Sequence, residues 1–221
     1  KRGLIGIPRV LNMYENYPFW HTFLSELGFS VVLSAKSTKD IFEKGISSIA
    51  SDTVCYPAKL VHGHIEDLIE KGIKTIFYPS VTHEFREDPD SDNHFNCPVV
   101  TSYPEVIKSN MDSLEENDIK FINFFITLND KNKLKKRIYS AMKYHYPDLR
   151  QDEVNRAIDM ATKEYDLFKA QVRQKGEEAV AYLDENNLKG IVLSGRPYHL
   201  DPEINHGIPE LINSLGMAVL S

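Results

Sequence analysis

The chain has 221 residues, 42% hydrophobic and 10% aromatic, and a formal charge of −6. That is enough apolar material to bury a sizeable core in one large domain or two small ones, and it excludes a disordered segment. The negative balance, with no dense Lys/Arg run, excludes an electrostatic footprint for nucleic acid. No apolar stretch approaches the roughly 20 residues that span a bilayer, and the opening Lys1-Arg2-Gly3-Leu4-Ile5-Gly6-Ile7-Pro8 is too short and too broken by Gly and Pro for a signal sequence. Two cysteines, Cys55 and Cys97, make no disulfide framework, and a reducing, cytoplasmic compartment is expected.

The apolar run Gly3 to Ile7 meets Pro8-Arg9 and is followed by an amphipathic stretch, Phe19 to Leu27, that stops at Gly28; this predicts strand, turn, helix and glycine stop. Ser30 to Ser34 reads as a second strand, and Ser37-Thr38-Lys39-Asp40 as the cap of a short helix running towards Gly45. After Cys55-Tyr56-Pro57, residues Ala58 to Lys71 place Leu60, Val61, Ile65, Leu68 and Ile69 on one stripe, a helix with proline in its first turn and Gly72 at its end. Lys74 to Tyr78 predicts a third strand, closed by Pro79. A long polar loop follows, His83 to Asn96, of a length that is uncommon unless functional or disordered.

Phe121 to Ile126 predicts a further strand, and Lys131 to Asn187 reads as almost wholly helical. From Val154 to Leu183 the apolar positions step by threes and fours, with a break expected at Lys175 or Gly176, so one long helix or two nearly collinear ones are predicted. The final segment repeats the first. Gly190 to Pro197 follows the plan of Gly3 to Arg9, and Leu211 to Ser221 follows Phe23 to Ser34 with a one-residue slip. Two copies of one unit predict an α/β fold of two Rossmann-like lobes with parallel sheets, joined by a helical middle. The division expected is 1–128 for lobe 1, 129–187 for the helical segment and 188–221 for a second lobe truncated after its second strand. Both ends read as cut from a longer polypeptide.

Cys55 precedes a helix whose unpaired N–H groups and dipole favour a thiolate, the form that binds iron or zinc. Cys97 lies in the loop after the next strand, and in an open parallel sheet such loops gather at one carboxyl edge. Two thiolates alone cannot complete a cubane, which takes three or four. His62 and His64 stand two apart on a helix, pointing about 200° away from each other, too far round to chelate one metal together. A zinc site from Cys55 and His62 has poor spacing. Lys59 or His62 facing an anion near the helix start, or simple solvated side chains, are the alternatives there.

In the second turn, Gly195 and Arg196 resemble an anion cradle with His199 nearby, or a plain structural turn; Asp201-Pro202-Glu203 reads as N-cap, first-turn proline and dipole-favoured acid. Asp88, Asp90 and Asp92 alternate as in a calcium loop, but the glycine and terminal glutamate of that loop are absent. The segment has no phosphate-binding glycine loop, dinucleotide fingerprint or nucleophile elbow. It holds no nucleotide site of its own.

Gly6-Ile7-Pro8-Arg9 with Phe19-Trp20 and Leu27-Gly28, Cys55-Tyr56-Pro57-Ala58-Lys59 with His62-Gly63-His64, and Ser194-Gly195-Arg196-Pro197-Tyr198-His199 with Asp201-Pro202-Glu203-Ile204 and His206-Gly207 resemble the uncharacterised domain of predicted CoA-substrate-specific enzyme activases. The likeness covers nearly the whole chain and extends to subunits of 2-hydroxyacyl-CoA dehydratases and benzoyl-CoA reductases. It implies a Rossmann-like module that helps hold a [4Fe–4S] cluster through Cys55 and Cys97, with the remaining ligands outside this chain. It further implies an ATP-hydrolysing activase domain, fused or separate, that drives a low-potential electron to a CoA thioester or similar acceptor. The fragment alone is then not expected to be active. Arg9, Lys59, His62, Gly195, Arg196 and His199 are the candidate substrate- or anion-binding positions. The third cysteine of the dehydratase pattern is missing, and the alternative is a non-catalytic domain that binds acyl-CoA or docks a partner.

Overall fold

In the computed structural model, which describes residues 1–221, the opening apolar run forms β1 (Gly3–Ile7), with Ile5 and Ile7 fully buried. Helix α1 (Met13–Glu26) lays Phe19, Trp20, Phe23 and Leu24 into the core. Gly28, at φ 86, then reverses the chain into β2 (Phe29–Leu33), a conformation that costs glycine nothing. Helix α2 (Lys39–Gly45) is capped by Thr38, whose hydroxyl accepts the Ile41 N–H at 3.2 Å. Helix α3 (Tyr56–Glu70) has Pro57 in its first turn and buries the stripe expected of it.

Next come β3 (Thr75–Phe77), β4 (Ser80–His83), α4 (Pro98–Asn110), α5 (Asp112–Glu116), β5 (Lys120–Ile122), β6 (Phe125–Thr127), α6 (Lys131–His145) and α7 (Gln151–Glu185). The chain closes with β7 (Gly190–Val192), a 3-10 turn at Pro197–Leu200, α8 (Pro202–Asn205), α9 (Ile208–Ser214) and β8 (Ala218–Leu220). All strand pairs are parallel: a four-stranded sheet in the order β2-β1-β3-β5, a pair β4-β6 and a pair β7-β8. This is an α/β fold with parallel sheets.

One strand of the sequence reading is two in the structure. The strand expected over 121–126 is broken at Asn123-Phe124, opposite the break at Tyr78-Pro79 in its neighbour, because a proline cannot donate to the ladder. The pairing crosses the gap through the Tyr78 N–H on the Ile122 carbonyl and the Ser80 N–H on the Phe124 carbonyl, both at 3.0 Å. Of the two arrangements expected for the helical segment, one long helix or two nearly collinear ones, α7 is the first, running through Lys175 and Gly176. Its first half packs along α1 through Val154, Ala157, Ile158, Ala161 and Tyr165, while Leu167, Phe168, Val172 and Tyr182 farther along are exposed. Arg2 ties the start of α7 to the first sheet, its guanidinium bonding Glu153 at 2.6 Å and Asp148 at 3.2 Å.

Candidate functional site

The order β2-β1-β3-β5 changes direction between β1 and β3, and the crevice outside the carboxyl ends of strands at such a point is where open α/β sheets hold ligands. The helices return antiparallel to the strands, so their N-termini face the same edge. Cys55 is the N-cap residue of α3 and exposed; Cys97 is the N-cap residue of α4 and half-buried. Burial pushes the phenol of Tyr198, in the 3-10 turn after β7, up; Arg196 opposes that, and Cys55, Cys97 and Glu15 add to the rise. Tyr103 on α4 is pushed up to about 12 by burial, with Cys55 contributing.

A second cluster lies at the start of α1. Asn12 and Asn16, one turn apart and both buried, donate their side-chain N–H groups to Glu84 at 3.2 and 2.8 Å, and Asn96 donates to the same carboxylate. Burial raises Glu84, against the three amides and Arg196, which lower it. Glu15 is pushed up to about 8 by burial, with Glu84 and Glu87 adding to the rise and Lys169 and Arg196 opposing it. The Oδ1 atoms of Asn12 and Asn16 and the Nε of Arg9 are buried without a partner. Carboxylates with strongly perturbed protonation beside unsatisfied polar atoms are a mark of functional sites.

His62 and His64 are both fully buried and face opposite ways, as two residues on a helix must. His62 Nδ1 meets Ser48 Oγ at 2.7 Å and its Nε2 meets the Tyr103 hydroxyl at 3.0 Å, so no ring nitrogen is left to face an anion. His64 Nδ1 meets Ser34 Oγ at 2.8 Å and its Nε2 meets Ser37 Oγ at 2.9 Å. Burial pushes both rings down to about 4, and they are neutral near pH 7.

Among the other positions singled out from sequence, the Lys59 ammonium donates to the Asp52 carbonyl at 2.8 Å. Arg196 is exposed, and its backbone N–H donates to His199 Nδ1 at 3.2 Å. A Cβ on Gly195 would lie 2.3 Å from that same nitrogen, so a larger residue there would displace the exposed His199 ring. The structure places Cys55 and Cys97 at the N-termini of α3 and α4, leaves Arg196 exposed and keeps His62 in the core. No group of three or more His, Cys, Asp or Glu side chains is arranged to hold a metal. The sequence reading missed Glu84, Asn12 and Asn16, whose one local signal is two asparagines four apart on the buried side of α1.

The fold and site define a parallel α/β domain with two cysteines at the N-cap positions of α3 and α4 and an exposed arginine turn after β7. The chain belongs to the CoA enzyme activase uncharacterised domain family, whose model matches residues 4–221, and its role is activase-related. No curated protein and no solved structure gives a match. No helix is long and apolar enough to cross a membrane.

Proposed function

We propose that this domain is the electron-accepting module of an activase system, and that Cys55 and Cys97 supply two of the ligands of a [4Fe–4S] cluster. The observation that carries the reading is the position of Cys55 and Cys97 as the N-cap residues of α3 and α4, whose N-termini face the same edge. Cys55 and Cys97 would supply two ligands of such a cluster, and the remaining ligands would come from outside the chain. When bound, the cluster would supply one-electron chemistry at low potential. The chain's residues do the rest: the helix N-termini favour negative charge beside the sulfurs, Arg9 and Arg196 offer guanidinium groups to an anionic ligand, and Lys59 and His199 flank the edge. The electron donor is an ATP-hydrolysing activase domain, and the acceptor is a CoA thioester or a compound of similar chemistry.

A second reading, a non-catalytic domain that binds acyl-CoA or docks a partner through Arg9 and Arg196, draws on the unpartnered Arg9 Nε. Anaerobic reconstitution with iron and sulfide, in wild type and in Cys55→Ser and Cys97→Ser, separates the two. The first predicts bound iron and sulfide that both variants lose. A metal-free wild type that binds acyl-CoA would support the second.

A further inference from the structure

The segment after β7 meets the first sheet through a polar latch centred on Asp201, which is 1% exposed. One carboxylate oxygen caps α8, accepting the N–H of Glu203 at 2.9 Å and of Ile204 at 3.3 Å. The other accepts the hydroxyls of Tyr14 on α1 and of Ser37 in the turn after β2. Tyr56 on α3 donates to Glu203 at 2.9 Å and holds the same segment from a third side. Local sequence accounts for the cap alone; the contacts to Tyr14 and Ser37 join residues far apart in the chain.

The hydrogens in this latch have one consistent order. A carboxylate only accepts, so Ser37 directs its proton to Asp201 and must accept from His64 Nε2–H. A neutral imidazole has a single N–H, so His64 Nδ1 accepts from the Ser34 hydroxyl, which in turn accepts the Arg9 backbone N–H at 2.7 Å. The order therefore runs from the Arg9 backbone, beside the site, to the carboxylate of the distant segment. His62 carries the opposite tautomer: Ser48 donates to the Gly45 carbonyl at 3.0 Å, so it accepts from His62 Nδ1–H.

We propose that Asp201 is a positioning residue: through Tyr14, Ser37 and His64 it holds the Arg196–Leu200 turn and α8 against the starts of α1 and α3, where Tyr56 meets Glu203, and it sets the proton order of the chain that ends at Arg9. The inference rests on the reading above that this edge is the working site. Its test uses neither iron nor activity, so it can fail independently of that reading.

In Asp201→Asn the amide presents N–H groups to Ser37. The order then reverses, and His64 becomes the Nδ1–H tautomer. Nitrogen-15 NMR of the histidine side chains in the full chain should show Nε2–H in wild type and Nδ1–H in the variant, a change that a merely structural role for Asp201 would not produce. In Ser37→Ala the cap of α8 stays intact but the latch is cut, and amide hydrogen exchange over Arg196–Asn205 should quicken about tenfold. Exchange in β1 should change little. An unchanged His64 tautomer in Asp201→Asn, or wild-type exchange of that segment in Ser37→Ala, overturns the proposal.

Discussion

Gly63→Ala is expected to destabilise the domain by on the order of 3 kcal/mol or more. A Cβ at Gly63 would lie 1.6 Å from the Ile41 carbonyl oxygen, and one at Gly45 would lie 2.2 Å from the Gly63 nitrogen. Both clashes are with backbone, so no rotamer relieves them, and α2 would have to lift off α3. That movement also pulls Ser48 from His62. Urea unfolding should show the midpoint falling with the slope unchanged. Gly176→Ala is the control: its Cβ would meet nothing within 4 Å, and alanine inside α7 should stabilise by up to about 1 kcal/mol. A Gly63→Ala midpoint equal to wild type would show that α2 and α3 are not held in this close approach.

The second large effect is acid destabilisation. His62 and His64 fall from the ordinary imidazole value of 6.5 to about 4 because burial penalises the imidazolium. Between those values the unfolded chain binds protons that the folded chain refuses, so stability falls as pH drops from 6.5 towards 4, by roughly 3 kcal/mol per histidine when complete. Glu15 and Glu84, both raised by burial, act with the opposite sign; the folded value of Glu15, raised from 4.5 to about 8, makes stability fall as pH rises through that window. The histidine part is therefore read from the rings themselves. Proton NMR of the ring C–H resonances from pH 4.5 to 8 checks it; a His62 or His64 ring that charges near 6.5 in the folded chain would contradict the burial of both neutral rings.

Much of the framework was legible because it is local. Gly28 at positive φ, Pro57 in the first turn of α3 and the apolar stripe on that helix each announce themselves within a few residues. The break between β5 and β6 was not legible, because the proline that enforces it sits on the neighbouring strand at Pro79. The sequence left one long helix or two collinear ones open at Gly176; an open-sided glycine lowers helix propensity without obstructing the hydrogen-bond ladder, and α7 continues through it.

The site divides the same way. Cys55 stood out from its helix-opening context and Cys97 from its strand-end loop, whereas Glu84 and Asp201 gain their roles from partners on distant elements: Asn16 and Asn12 for one, Tyr14 and Ser37 for the other. His62 read as a candidate for zinc or an anion, and both its ring nitrogens are instead taken by Ser48 and Tyr103. Only the tertiary structure separates these roles.

The central claim, that Cys55 and Cys97 act together as ligands, is tested most directly by differential alkylation of the two sulfurs before and after anaerobic reconstitution with iron and sulfide. The account predicts that both become protected together, in proportion to the iron bound, and become reactive again when the iron is chelated. Iron bound while both cysteines alkylate at the metal-free rate, or protection of one without the other, would contradict it.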